Sequence, residues 1–372
     1  MEIKIEGTNK ILGDGSVFIV AEIGKNFIQT EKDQSINTYF DNAKKLIQAA
    51  KDAGADAVKF QTHNVEDEQY PITYNSPHFA GADRYSWVKR NTEKTPASFW
   101  RKLKAFCDDT GVVFFSTPMS RGAAIILEEI GTPFWKVASG DITDFVLLDF
   151  IVSTKKPIII PTGMIELSEL DKTSDFLRKK KIPCVILHAI SRYPYPAEDS
   201  NLGTIEFYKE RYPNVLVGFS QNSPWIEPAV IAVAMGISVL EQHFTFDRTL
   251  WGPDHKVSMT PEEFTEMVRR IRKVEEDTIY KKEVLKEKSK YYGKKEKILQ
   301  DGETKFIPLF RKALMAGQDI PSGTVLTSDM IYAMRPRSLL KGLPAHEFYN
   351  VVGKKVKKDL KKYDPITNDI FV

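Results

Sequence analysis

The chain has 372 residues, 42% of them hydrophobic and 28% charged, and its 53 basic and 50 acidic side chains leave a formal charge of +3. That composition belongs to a soluble globular protein, and at about 150 residues per domain the length allows two domains, or one barrel with an appendage. The near-neutral balance offers no electrostatic case for a nucleic-acid partner. No run approaches the roughly 20 apolar residues of a membrane span, and the start, MEIKIE, lacks the regions of a signal peptide, so a cytoplasmic protein is expected.

In chain order, residues 2–15 (EIKIEGTNKILGDG) set two short apolar runs about a Gly-Thr-Asn turn, which predicts a hairpin closing the bottom of a barrel. Eight β-rich apolar runs then recur at 17–22, 56–61, 112–117, 133–138, 157–162, 183–188, 214–219 and 237–244. Helix-period segments separate them; in residues 36–53 the apolar face comprises Phe40, Ala43, Leu46, Ile47 and Ala50. Strands alternating with helices over about 250 residues predict an α/β fold, a (β/α)8 TIM barrel, with a doubly wound sheet as the alternative. Thr260 as N-cap and Pro261 at the first helical position open the last barrel helix, over 261–276.

The barrel is assigned to residues 1–280. A lysine-rich, weakly apolar stretch comes next, a solvated helix and linker rather than a binding patch, with the linker at 281–305. Residues 306–372 carry short strands and turns such as Pro321-Ser322-Gly323, a unit small enough to need a barrel to pack on. Cys107 and Cys184 lie within apolar segments (LKAFC, PCVIL), as buried reduced thiols do.

In a TIM barrel the active site forms at the C-terminal ends of the strands. The polar residues closing the eight runs are Glu22; Lys59 and Gln61; Thr117; Lys136 with Ser139 and Asp141; Thr162; His188 with Ser191 and Tyr193; Ser220 with Asn222; and Glu241 with His243. A strand-end lysine is costly to bury without an anion, so Lys59 and Lys136, with the hydroxyls of Thr117, Ser139 and Ser220, outline a phosphate and carboxylate pocket. His243, near Asp247, Asp254 and His255, suits a hard divalent metal or acid/base chemistry. By contrast His63, His78 and His346 sit in polar loop contexts and are not expected to be catalytic.

These residues resemble those of the sialic acid synthases, a family that includes N-acetylneuraminate, legionaminate and pseudaminate synthases. Seven segments carry the resemblance in family order: AEIG (21–24), VKFQTHNVEDE (58–68), FFSTPMSRGAA (114–124), KVASGDIT (136–143), KPIIIPTGM (156–164), ILHAISRYPYPAEDSNL (186–202), and LEQHFTFDR with GPDHKVSM (240–259). Residues 310–336, FRKALMAGQDIPSGTVLTSDMIYAMRP, resemble the family's antifreeze-like (SAF) domain.

The resemblance implies that C3 of phosphoenolpyruvate (PEP) attacks the open-chain aldehyde of an N-acetylated hexosamine, water adds at C2, and phosphate leaves to give a nine-carbon 2-keto acid. It implies PEP contacts from Lys59, Thr117, Lys136, Ser139, Ser191 and Ser220, and sugar contacts from Gln61, Asp141, Tyr193 and Asp254. Glu22 would stand near the reacting carbons, and His243 with Asn222 would hold a divalent metal, Mn²⁺ or Mg²⁺. Arg335 matches an arginine that a partner's SAF domain supplies, which implies a homodimer.

The chain departs from the family pattern at four places. Ser220-Gln221-Asn222 replaces Ser-Asp-His, which makes metal-independent catalysis an alternative. Asn26-Phe27 replaces Asn-His, Ala189-Ile190 replaces Cys-Thr, and Arg335-Pro336-Arg337 replaces Arg-Pro-Gly, where the added arginine is expected to reshape the sugar site. Asp141 also stands for a glutamate. The competing functions are a sugar-binding relative without catalysis, motivated by Asn222 and Phe27, and another metal-dependent barrel aldolase or lyase.

Overall fold

The computed structural model describes residues 1–76 and 79–372, so His78 lies outside the described residues. Eight parallel strands form the centre: β1 Phe18–Gly24, β2 Ala57–Thr62, β3 Val113–Pro118, β4 Trp135–Lys136, β5 Ile158–Pro161, β6 Cys184–Ala189, β7 Leu216–Gln221 and β8 Val239–His243. Their hydrogen-bonded order is β3-β2-β1-β8-β7-β6-β5-β4. β3 and β4, at its two ends, lie side by side, so the sheet curls into a nearly closed barrel. All eight apolar runs are strands, and the doubly wound alternative is excluded.

Because side chains alternate across a strand, register decides which residues face the barrel axis. Val20, Ala57, Val113, Phe115, Phe134, Ile159, Val185, Leu187 and Val239 form one interior cluster. The next inward positions toward the C-terminal end are polar: Glu22, Lys59, Thr117, Lys136, Ser220 and Glu241. The barrel is thus apolar below and charged above. Ile3, Ile5 and Leu12 of the N-terminal hairpin, paired Ile3 to Leu12, join the lower cluster and plug the bottom as expected.

The helix predicted over 36–53 spans Ile36–Asp52, capped by Ser35, whose side chain accepts from the backbone N–H of Thr38. Its buried face contains Tyr39 in place of the expected Phe40, which is only partly covered. The last barrel helix is Pro261–Glu276, with a reciprocal Thr260/Glu263 capping box.

Two features of the linker differ from the expectation. Helix Thr278–Lys286 runs across residue 280 without a break. The later linker is not simply solvated: Glu303 is buried, as is Phe306 just after it. The Glu303 carboxylate accepts from the backbone N–H groups of Ser191 (2.8 Å) and Met164 (3.2 Å), which tie it to the loops after β6 and β5.

The C-terminal unit pairs β9 (Ala313–Ala316) antiparallel with β10 (Ile331–Met334). Its core, including Leu314, Ile331 and Phe348, takes in Val146 from the barrel helix Phe145–Ser153. The unit sits over the barrel mouth. The backbone N–H of Arg335 donates to the carbonyl of Glu68 (2.9 Å), that of Tyr70 donates to the carbonyl of Arg335 (3.0 Å), and Lys312 Nζ pairs with Asp144 (2.8 Å).

Candidate active site

A cavity of about 130 Å³ opens at the C-terminal ends of the strands. On its floor Lys59 Nζ lies 2.7 Å from Glu22 Oε2 and 3.5 Å from Glu241 Oε1, and Lys136 Nζ lies 3.6 Å from the same Glu241 oxygen. Lys59 also donates to Thr117 Oγ1 (3.2 Å) and Ser220 Oγ to Glu241 Oε1 (3.1 Å), while Gln61 Nε2 donates to Glu22 Oε1 (2.9 Å). Two lysines and two carboxylates are therefore buried together with nearly balanced charge, poised to exchange internal partners for an incoming anion.

Burial pushes the Glu22 carboxyl up, beyond what Lys59 restores. Burial alone would lower Lys59, but Glu22 and Glu241 outweigh it and hold the ammonium above its ordinary range. Lys136 has weaker support: burial brings it down to about 8 despite Glu241. Glu241 would rise on burial but is lowered by Lys136, Lys59 and His243.

A bulge between Glu22 and Gly24 ends β1 and turns the chain from the floor. Gly24 has φ +54°, and a Cβ there would come within 3.1 Å of both Gln61 Nε2 and Glu22 Oε1, so this position requires glycine.

Of the strand-end candidates, the cavity collects Glu22, Lys59, Gln61, Thr117, Lys136, Ser139, Tyr193, Ser220, Asn222, Glu241, His243, Asp254 and Arg335. Three others do not line it. Val185 and Leu187 point inward, so His188 points outward, where it stacks on Phe219 and bonds the carbonyl of Ser200 (2.8 Å). By the same parity Thr162 follows inward-facing Pro161 and donates to the carbonyl of Leu187 (3.1 Å). Ser191 is not among the lining residues: its backbone N–H is committed to Glu303, and its Oγ is buried without a hydrogen-bond partner.

Asp141 is likewise not on the wall. Fully buried, it accepts from Arg335 at 2.6 and 2.7 Å, with Lys312 Nζ 3.2 Å away. It anchors the arginine that lines the cavity rather than lining it. Arg335 reaches the cavity of its own chain.

Phe27 packs with Tyr39, Phe60, Phe99 and Trp100, away from the cavity, and Asn26 bonds the carbonyl of Phe244 (2.9 Å). The Asn-Phe departure is thus a core feature and carries no argument for lost catalysis. Arg337 is exposed and does not line the cavity, so it does not reshape the site as expected.

Asp247 is exposed, and His255 is buried against Thr245 (2.7 Å). His63 is buried against Glu68 (2.7 Å), which holds that carboxyl down to about 2 against the effect of burial. His346 lies near Glu347 in the C-terminal unit. Burial raises both Cys107 and Cys184 thiols, which are free.

His243 Nε2 lies 3.2 Å from Asn222 Oδ1, and Asn222 is oriented by donating its Nδ2 to the carbonyl of Ile190 (2.8 Å). An imidazole nitrogen and an amide oxygen at this separation match two neighbouring ligands, each about 2.1 Å from an octahedral divalent ion. The pair fits a hard metal, although among the described residues no cluster of three or more His, Cys, Asp or Glu side chains surrounds it.

Several wall residues escaped sequence reading. Arg84 and Trp87 come from helix Arg84–Lys94, and Phe306 and Phe310 from the start of the C-terminal unit. None ends a strand, so position along the barrel gave no signal for them.

A family model described as the NeuB family matches residues 46–283, and one described as the SAF domain matches residues 311–372. The chain therefore belongs to the NeuB family, the sialic acid synthase-like enzymes that form a C–C bond with PEP. It is 31% identical over 363 residues to the human N-acetylneuraminate-9-phosphate synthase, covering 96% of this chain and 93% of that one. An uncharacterised protein of Methanocaldococcus jannaschii is 33% identical over 365 residues, 98% of this chain and 97% of its own. The crystal structure of the spore coat polysaccharide biosynthesis protein SpsE from Bacillus subtilis superposes with a TM-score of 0.80 at 29% identity, covering 100% of this chain and 99% of that one. Among the described residues no helix is long and apolar enough to cross a membrane.

Proposed function

We propose that this enzyme condenses PEP with the open-chain aldehyde of an N-acetylated amino sugar, yielding a nine-carbon 2-keto sugar acid and phosphate. The observation that carries the reading is the buried quartet of Lys59, Lys136, Glu22 and Glu241 in a cavity that Tyr193, Asp254 and Arg335 also line. Relatives matched over 91–96% of this chain are an N-acetylneuraminate-9-phosphate synthase, an N,N'-diacetyllegionaminic acid synthase and a pseudaminic acid synthase.

In this reading Lys59 and Lys136, with Thr117, Ser139 and Ser220, neutralise the phosphate and carboxylate of PEP. C3 of PEP attacks the aldehyde carbon, and the aldehyde oxygen takes up a proton. Water adds to the resulting C2 cation and gives up its proton, and cleavage of the C2–O bond releases phosphate. Glu22, raised by burial and held by Lys59 and Gln61, is the carboxylate that takes the water's proton. Tyr193, Asp254 and Arg335 orient the acceptor. Asn222 and His243 would hold the divalent ion, which supplies a Lewis acid to polarise the aldehyde.

The barrel of residues 1–280, the linker 281–305 and the SAF unit 306–372 would work as a cytoplasmic homodimer. Its contacts are preserved whether each SAF unit covers its own barrel or is exchanged for its partner's.

The reading is tested by incubating PEP with a panel of N-acetylated and diacetamido hexoses, with and without Mn²⁺. Phosphate release that requires one of the sugars is the expected result, and none with any sugar would refute the synthase. Calorimetry separates the inactive-relative alternative, because PEP binding abolished by Lys59→Ala supports the enzyme, whereas sugar binding without PEP binding supports the relative. Chelator-treated enzyme should regain activity with Mn²⁺, and Asn222→His should need at least about tenfold less of it. Full activity in chelator would establish the metal-independent alternative.

A further inference from the structure

Among the described residues four lysines are buried, and three of them, Lys59, Lys136 and Lys312, have a carboxylate oxygen within 3.6 Å. Lys25 is the exception. It is 2% exposed, no carboxylate pairs with it, and its Nζ has no hydrogen-bond partner. Its ammonium lies 4.9 Å from the centre of the Trp100 ring and 5.6 Å from that of Phe27, one of the positions at which the chain departs from the family pattern. Two aromatic faces ease the burial of a cation without replacing a counter-ion.

A carboxylate with an unused oxygen stands in its field. Glu68, fully buried, commits Oε2 to His63 Nδ1 (2.7 Å), and its Oε1 has no hydrogen-bond partner. Glu68 acts on Lys25 more strongly than Glu22 does, and both oxygens of Glu22 are engaged, by Lys59 (2.7 Å) and Gln61 (2.9 Å). His63, brought down to about 4 by burial, is a neutral donor to Glu68 near neutral pH. Helix Ala97–Thr110 contributes Trp100 to the surroundings of Lys25, and Arg335 and Arg84 on the cavity wall bear on Glu68 as well. Residues 68–70 in turn grip Arg335. Its backbone N–H donates to the carbonyl of Glu68 (2.9 Å), and its carbonyl accepts from the backbone N–H of Tyr70 (3.0 Å) and from Gln69 Nε2 (2.9 Å). Where Glu68 sits therefore decides where Arg335 sits.

We propose that Lys25 is a positioning residue for Arg335: its ammonium pairs with Glu68 Oε1, and the pair fixes the 68–70 segment that aims the Arg335 guanidinium into the cavity. The proposal rests on the synthase reading in one respect, that Arg335 orients the acceptor. Burial brings Lys25 down to about 7, so the ammonium is present below that pH and is lost as pH rises through it, and Glu68 loses its partner with it. The acceptor site is therefore tightest on the acid side of neutrality, whereas the floor that meets PEP does not depend on this pair.

Lys25→Met, which keeps the stem and removes the amine, should raise the acceptor KM about fivefold or more at about pH 6 and change the PEP KM by less than about twofold. In the wild type the acceptor KM should rise between about pH 6 and about pH 8 and then level off, and in Lys25→Met it should be flat over that range. Glu68→Gln should reproduce both effects, and adding Lys25→Met to it should change little more. An acceptor KM and pH profile that Lys25→Met leaves as they are in the wild type overturn the proposal. Amide hydrogen exchange needs neither turnover nor a variant. After correction for the intrinsic rate, protection of the Arg335 N–H that bonds Glu68 should fall as pH rises from about 6 to about 8, and constant protection overturns the proposal even where Lys25→Met does not fold. If no sugar releases phosphate, the synthase reading fails on its own, and the exchange profile still decides whether Lys25 holds Arg335.

Discussion

Lys136 is the cation on the cavity floor whose charge depends on conditions near neutrality. Burial brings it down to about 8, so its ammonium form is lost as pH rises through that value, and with it half of the cationic floor that meets PEP. The expected outcome is a kcat/KM for PEP that declines above about pH 8 and a KM for the sugar that changes less. Lys136→Arg should move the decline to higher pH, since a guanidinium does not titrate there. A flat profile through pH 9 would show that bound PEP is not held by Lys136. At this scale most of the site was legible, because a polar residue that ends an apolar run has few structural reasons to be there. Thr162 and His188 show the limit. Strand-end position was right for both, but parity placed them on the outer face, and a one-residue offset is invisible until the register is known.

The strands follow their apolar runs within a residue or two, except that β4 contracts to Trp135–Lys136 before the chain turns through Ser139–Asp141 to the cavity. Charge and polarity suggested a solvated linker, yet Glu303 anchors it. Its carboxylate accepts three backbone N–H groups, from Met164, Ser191 and Gln300, and so fixes the segment that carries Phe306 and Phe310 into the cavity wall. Glu303→Ala should cost about 3 kcal/mol of stability, measured by urea unfolding, because buried donors lose a charged acceptor, with Glu303→Gln costing less. It should also raise the acceptor KM. An unchanged unfolding midpoint would show that the anchor is incidental. A single glutamate in a lysine-rich stretch gives no sign of burial, because its cover comes from loops more than 100 residues away in sequence.

In the whole molecule, the SAF unit closes the barrel mouth through a buried network of Asp141, Asp144, Lys312 and Arg335. Truncation of one member leaves a buried charge uncompensated, so Arg335→Ala should abolish activity and also loosen the unit, which a rise in proteolytic cleavage of the linker would report. The chain's own Arg335 fills its own cavity. Co-expression of Lys59→Ala with Arg335→Ala should therefore restore no activity. Recovery approaching about a quarter of the wild-type rate would show instead that two copies exchange their SAF units.

The barrel, its hairpin plug, the lysine and hydroxyl floor and the family were determined by the sequence itself, since apolar periodicity sets strands and helices locally and strand ends inherit the site. Only the tertiary structure decided which face Thr162 and His188 present, that Asp141 holds Arg335 from behind, and that Phe27 is core. It alone brought Arg84, Phe306 and Phe310 to the cavity. These placements depend on register and on packing between segments far apart in the chain, which no local pattern encodes.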